Sequence, residues 1–267
     1  MALLMTWTVL GAGYVGSFLG ALGGAGLVLT RGPRRVEEQV LLPDGRQRTW
    51  RPQVGHQAGT PCLIACRCHQ SPWENLPVGP VLAAQNGLGQ PVPVAVCFMA
   101  ISRTSDGVLS SRGPEPRVVV SSIHSLWRPV VSAWREAGLV VDEVPDVTPH
   151  QWEKAILNAT VGPLCLITSR TVAEVWSDPE LRQLVMMATT EGAQIAAGEG
   201  VVIPAGIEAR ASHFFARMGT HQPSVLRGAG ELPWIIGRLL AAAERQRLPV
   251  PALSTIATSL SSSGTLP

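Results

Sequence analysis

"TWTVLGAGYVGSFLGALGGAGLVLTRG", residues 6–32, is the stretch whose reading decides the fold. "WTVL" is a short apolar run of strand type, and "LVLT" is a second one. Between them, "GAGYVG" sets Gly11, Gly13 and Gly16 in G-x-G-x-x-G spacing, and "YVGSFLGALGGAG" reads as a small-residue helix with a glycine stop. The first glycine of such a turn makes the tight bend, and the second lets backbone approach a pyrophosphate. The third lets the helix lie close to the strand, with its first N–H groups aimed at the phosphates. An isolated glycine triplet is a weak signal, but one held between two strands and opening a helix predicts a dinucleotide cradle.

The same segment has a competing reading. The first thirty residues of the chain carry no charged side chain, and "GSFLG" (16–20) fits the small-xxx-small pattern of membrane helices. Seven glycines, at 11, 13, 16, 20, 23, 24 and 26, interrupt it, and the first basic residue is Arg31, whereas a signal peptide begins with positive charge. A soluble cytoplasmic chain is therefore expected. At the end of the second strand, an NAD-binding unit carries Asp or Glu for the ribose hydroxyls. Here Thr30 and Arg31 stand there, with Arg34 and Arg35 following. A guanidinium suits a 2′-phosphate and a carboxylate repels it, so NADP(H) is the expected cofactor.

Bulk properties narrow the remaining classes. The chain has 267 residues, a formal net charge of +2, 15% charged and 46% apolar residues. That is enough for two domains with a sizeable core, and too mildly basic to point to nucleic acid. The five cysteines, Cys62, Cys66, Cys68, Cys97 and Cys165, are an odd number and read as free thiols in a reducing compartment. "CLIACRCH" (62–69) has a superficial metal-site look, but "PCLIACR" reads as a buried strand and no second ligand pair follows. No metal is expected.

Apolar runs alternate with turns as far as "VPDVTPH", and "LPDGRQ" places a D-G turn in a hairpin spanning Val40 to Trp50. From about Gln151 the periods are helical only, and the tail "TSLSSSGTLP" reads as frayed. The predicted architecture is an α/β Rossmann-like domain with a parallel sheet over 1–148, followed by an all-helical domain over 149–267.

"QWEKAILNATVGP" (151–163) opens the helical part with an anomaly. Trp152, Ala155, Ile156 and Ala159 want burial, yet Lys154 and Asn158 lie one turn apart among them. An unpaired buried charge is costly, so Lys154 either snorkels to solvent or serves a reaction in a cleft.

These landmarks together resemble the ketopantoate reductases, NADP-dependent enzymes of pantothenate synthesis, and the reductases grouped with them. The resemblance spans nearly the whole chain and rests on "GAGYVG", Arg31, "AQNGLG" (84–89), "WEKAILNATVGPL" (152–164) and "PSVL…ELPWIIG". It implies NADPH-dependent reduction of a 2-oxo acid to a 2-hydroxy acid. It implies a cofactor cradle of Gly11, Gly13, Tyr14, Val15 and Gly16 with Arg31, Arg67 and Asn86. It further implies Lys154 as general acid with Glu231 beside it, and Asn86, Asn158 and Ser224 on the substrate, with Glu231 opening the last core helix. The physical reading agrees: hydride delivered to a ketone leaves charge on oxygen, which an ammonium stabilises and protonates.

The chain departs from the family pattern in several places. Arg67 stands where a lysine is usual, Gly162 and His221 where asparagines are, and Ile236 where another asparagine is expected; the loop from Ser224 to Glu231 is short. Reductase chemistry thus survives better than ketopantoate specificity. A different small carbonyl substrate, or a non-catalytic NADP-binding protein, are the competing readings. The partners expected are a small-molecule 2-oxo acid and at most a second copy in a homodimer, with neither nucleic acid nor membrane.

Overall fold

In a computed structural model of the chain, residues 7–30, 36–121, 123–227 and 229–262 are described. They form two compact units, Met1–Gln85 with Gln90–Val147, and Asn86–Gly89 with Thr148–Pro267. A single boundary near residue 149 does not anticipate that the "NGLG" segment clusters with the helical unit. It does so because its backbone and side chains hydrogen-bond there: Leu88 N–H donates to the Trp234 carbonyl at 3.0 Å, and Asn86 accepts from Asn158.

The first unit opens as the glycine turn predicts, with β1 (Thr8–Leu10), α1 (Tyr14–Gly23) and β2 (Leu27–Leu29). It continues through β3 (Glu38–Leu41), β4 (Gln47–Trp50), β5 (Gln53–Val54), β6 (Cys62–Ile64) and β7 (Val81–Ala83). The strands β5-β2-β1-β6-β7 form one parallel sheet with β1 at its centre, Val9 lying opposite both Val28 and Leu63. β8 (Val96–Arg103), β9 (Leu109–Ser121), α2 (Arg128–Glu136) and β10 (Val140–Val144) complete the unit. A second, mixed sheet in the order β10-β9-β3-β4 takes β8 as the antiparallel partner of β9. The D-G hairpin is present as β3–β4, with Glu38 opposite Trp50 and Gly45 at φ 88°.

Helix α1 explains why the opening segment is rich in both glycine and neighbouring tryptophan. A Cβ on Gly20 would sit 2.7 Å from the Trp50 ring, and one on Gly23 would sit 2.6 Å from Trp7. The indoles of Trp7, Trp50 and Trp134 donate N–H bonds of 2.8–2.9 Å to the carbonyls of Gly23, Ala25 and Leu19. Trp7 meets Trp127 and Trp134 edge-on, at 5.9 and 6.3 Å between ring centroids. Gly20 and Gly23 are therefore seats for buried indoles, whose N–H groups need partners when desolvated. Among the described residues no helix is long and apolar enough to cross a membrane.

The second unit is helical: α3 (Thr148–Thr168), α4 (Val172–Ser177), α5 (Pro179–Gly198), α6 (Ile207–Arg217), α7 (Ile236–Gln246) and α8 (Pro251–Ser262). Two 3-10 turns, Ser224–Arg227 and Ala229–Trp234, lie between α6 and α7. α3 is the central element, packing on α4, α5, α7 and α8. It meets α5 closely enough that a Cβ on Gly192 would lie 2.8 Å from Ile156.

The expectation of a frayed tail is corrected over 258–262, the residues 263–267 lying outside the described ones: α8 runs through Ser262, because Leu253, Ile256 and Leu260 form a fully buried stripe that repays the polarity of its other face. Its N-terminus is held by a buried carboxylate from another helix. Glu191 of α5 accepts from Ala252 N–H and Leu253 N–H, both at 2.8 Å, satisfying two of the donors a helix start leaves open. Glu191→Ala is expected to lower stability by roughly 1.5–3 kcal/mol, the range for hydrogen bonds to a charged group. A urea titration that leaves the midpoint unchanged would show that α8 is held by packing alone.

Candidate functional site

Each unit contributes its own cluster. In the first, Gly11 has φ 107°, and a Cβ there would come within 2.6 Å of the Cys66 nitrogen. A Cβ on Gly16 would strike the Gly11 carbonyl at 2.0 Å, so these two glycines are required by the chain's own packing. Gly13 differs, because among the described residues a Cβ there meets nothing within 4 Å beyond its chain neighbours. It is the N-cap residue of α1 and provides no side-chain cap, leaving the N-terminal end of the helix open to an external acceptor.

A cavity of about 530 Å³ opens at this point, with Gly11, Ala12 and Gly13 on one wall and Thr30, Cys66, Arg67 and Gln70 on others. The 66–71 loop is fixed by Gln85, whose amide donates to the Cys66 carbonyl and to Ser71 Oγ, both at 2.5 Å. Ser71 Oγ in turn donates to the Arg67 carbonyl at 3.2 Å. This cradle fits a dinucleotide: open helix N–H groups, a glycine with room before it, and one guanidinium in the same cavity.

Of the cradle residues expected from the sequence, Gly11, Gly13 and Arg67 line this cavity, and Gly16 lies beneath it against Gly11. Tyr14 and Val15 instead pack their side chains on the apolar core. Tyr14 also lines a second cavity of about 300 Å³, where its ring lies 5.7 Å from the Arg103 guanidinium, which pairs with Glu38 at 2.8 Å. Arg31, with Arg34 and Arg35, lies outside the described residues. Gln85 is the residue sequence reasoning missed here, although it stood inside the "AQNGLG" landmark.

In the second unit, α3 presents Lys154 and Asn158 one turn apart. Asn158 Nδ2 donates to Asn86 Oδ1 at 2.9 Å, and Asn86 Nδ2 donates to Ser224 Oγ at 3.5 Å. Three expected site residues, far apart in sequence, thus form one hydrogen-bonded set. Gly87, at φ 91°, permits the turn that carries Asn86, since a Cβ there would lie 2.4 Å from the Trp234 carbonyl. Gln151 Nε2 fixes the same turn by donating to the Gly87 carbonyl at 3.2 Å.

The Lys154 Nζ lies 5.6 Å from the centre of the Phe214 ring. His221 is pushed down to about 4 by burial first, then by the charges of Lys154 and Arg227, so its imidazole is neutral near pH 7. Lys154 is also the only lysine in the chain; the other twenty of its 21 basic residues are arginines. Glu231 is 4% exposed. It does not open a core helix as expected: it sits in the 3-10 turn Ala229–Trp234, and α7 starts only at Ile236. Gly162 and Ile236, two of the departures from the family pattern, are both buried, with Val225 3.4 Å from where a Cβ of Gly162 would be. Among the described residues, no three His, Cys, Asp or Glu side chains gather as a metal site.

Comparison with known proteins adds a relationship to this geometry. Residues 146–262 match the family model described as "Ketopantoate reductase PanE/ApbA C terminal". The chain is 24% identical to a 2-dehydropantoate 2-reductase of Halobacterium salinarum over 293 residues, covering 95% of this chain and 97% of that protein. Its fold matches a 2-dehydropantoate 2-reductase from Geobacter metallireducens with a TM-score of 0.80 at 21% identity, over 96% of this chain and 99% of the other. It also matches a D-mandelate dehydrogenase in complex with NADH, with a TM-score of 0.74 at 16% identity, over 97% and 98% of the two chains.

Proposed function

We propose that this chain, whose residues 146–262 match the ketopantoate reductase C-terminal family model, is a divergent member of that family and reduces the carbonyl of a 2-oxo acid to a hydroxyl, using a reduced nicotinamide dinucleotide and NADPH in preference. The observation that carries the reading is the single lysine, set one helical turn from the Asn158–Asn86–Ser224 network. An arginine in water or protein does not give up its proton, whereas a lysine can act as acid or base. A chain that uses arginine at every other basic position keeps a lysine where a proton must move.

The dinucleotide, when bound, supplies hydride to the carbonyl carbon. Gly13 and the start of α1 would hold its pyrophosphate, and Arg67, which lines the same cavity, would meet a phosphate there. Lys154 would stabilise the developing charge on the carbonyl oxygen and then deliver its proton there, with the ammonium restored from solvent. Asn158 and Ser224 would hold the substrate's polar groups, and Glu231 would balance the charge of Lys154. A soluble cytoplasmic enzyme, as a monomer or homodimer, accords with this chemistry.

A second reading keeps the reaction and changes the substrate. Gly162 and Ile236 are buried and apolar, and His221 is neutral, so the pocket offers fewer polar contacts for an acid bearing an extra hydroxyl. The test follows NADPH and NADH oxidation by the purified protein with ketopantoate beside a panel of 2-oxo acids. Turnover with any of them supports the reading, and ketopantoate's rank in the panel decides between the two substrates. Tight NADPH binding with no turnover of any member would make this a binding protein instead.

A further inference from the structure

We propose that Phe214 is a positioning residue for the Lys154 ammonium, holding its charge over the ring face; the proposal rests on the reading of Lys154 as general acid. Two rungs join α3 to α6 at adjacent positions. Glu153 carries a side chain only 8% exposed and pairs with Arg210 Nε at 2.6 Å. One turn further along α6, Phe214 meets Lys154, the residue after Glu153. Arg210 is itself anchored, donating to the carbonyls of Ala205 at 2.7 Å and Pro204 at 3.0 Å. The rotation of α6 is set by Phe215, fully buried with its ring 5.6 Å from Trp176, which leaves Phe214 half-buried toward the lysine.

Such an arrangement has a chemical purpose. An aromatic face attracts a cation through its quadrupole, and it does so without accepting the proton. A carboxylate alone would anchor the ammonium but compete for the proton the substrate oxygen needs. The charges that other elements bring toward α3 are largely engaged elsewhere. Glu174 of α4 closes its own capping box, Glu191 of α5 holds α8, Arg238 of α7 lies 5.2 Å over Trp234, and α8 has no charged residue. His221 is within the field of Lys154 but neutral, with Arg227 acting on the same imidazole. Glu231 is the buried carboxylate of the turn that packs on Ser224–Arg227 beside α3.

Because the chain has one lysine, protein grown with [ε-13C]lysine shows a single side-chain resonance belonging to Lys154. In the unaltered full-length protein, the Cε protons are expected upfield of a free lysine through the ring current of Phe214; unshifted protons would overturn the proposal without any variant. In Phe214→Leu the upfield shift should vanish and the titration midpoint of Lys154 should fall by about half a unit to one unit, since the ring favours the charged form. The alkaline limb of kcat/KM should move down by the same amount. Phe214→Trp, which keeps a ring face, should restore both. A role confined to packing would lower thermal stability and leave the midpoint where it was. If Lys154→Ala abolishes turnover while Phe214→Leu changes neither resonance nor limb, the proposal fails and the general acid stands; if Lys154→Ala retains turnover, it is the general acid that fails.

Discussion

Replacing Lys154 with alanine is expected to lower kcat for carbonyl reduction by about 10²–10⁴-fold, the range general acid catalysis contributes, with cofactor affinity unchanged. Lys154→Arg is the more telling variant and is expected to be as inactive as the alanine. The guanidinium keeps the positive charge and the length, so it would preserve electrostatic attraction for a carboxylate substrate. It holds its proton far more tightly than an ammonium does, so it is a much poorer general acid as charge develops on the carbonyl oxygen. Steady-state dinucleotide oxidation with the substrate identified from the panel measures kcat, and dinucleotide binding is followed separately by fluorescence. An arginine variant with full kcat would mean that charge alone suffices and that the proton comes from elsewhere. A fall in both variants with KM little changed places the loss in the transition state rather than in binding. The cradle proposed for the dinucleotide lies in the other unit, on Gly11, Gly13 and Arg67, so its affinity serves as the internal control for folding.

The opening segment was legible because its constraints are local. Strand, turn and helix lengths follow from glycine spacing and apolar runs within 27 residues, and the structure returns β1, α1 and β2 in those places. The Thr148–Thr168 helix was legible for the same reason. What was not legible depends on partners distant in the chain. The stretch from 258 to 262 looks frayed on composition, yet Leu260 is buried and the start of its helix is held by Glu191, some sixty residues earlier. No local pattern announces a carboxylate supplied by another helix. The mixed second sheet is similar, since β3 reaches β9 through the single pair Val40–Leu109.

The site divides along the same line. Asn86, Asn158 and Ser224 were named from short motifs, and the structure joins them in one network across 138 residues of chain. Periodicity alone would never have linked an N-G turn to a serine in a distant loop. Phe214 was invisible because "HFFAR" reads as two core aromatics on one helix; only the pairing of Arg210 with Glu153 shows which of the two turns toward Lys154. The count of one lysine against twenty arginines lies in the sequence itself and is the cheapest pointer to the proposed proton donor. Gln85 carried no such mark, its task being to hold a loop by its backbone carbonyl.

Alanine at Gly13 and at Gly16 should separate the two demands that the glycine motif makes. At Gly16 a Cβ falls 2.0 Å from the Gly11 carbonyl, a backbone atom that cannot step aside, so Gly16→Ala is expected to cost at least about 1–3 kcal/mol of stability. At Gly13 no atom of the described residues beyond its chain neighbours lies within 4 Å of the added carbon, and the backbone, at φ −80° and ψ −177°, suits any residue. Gly13→Ala should therefore melt close to the parent, since the loss of a better N-cap, roughly 0.5–1 kcal/mol, is offset by the smaller unfolded-state entropy of alanine, roughly 0.4–1 kcal/mol. Its effect should appear in cofactor binding, where the methyl occupies the space a pyrophosphate needs. If the bound phosphate is displaced at the usual cost of overpacking, the Kd for NADPH rises by roughly 5- to 150-fold. Calorimetric melting and NADPH fluorescence titration read the two effects independently. Unchanged affinity in Gly13→Ala would mean that the dinucleotide does not cross the open end of α1, and the 530 Å³ cavity would then hold something other than a pyrophosphate.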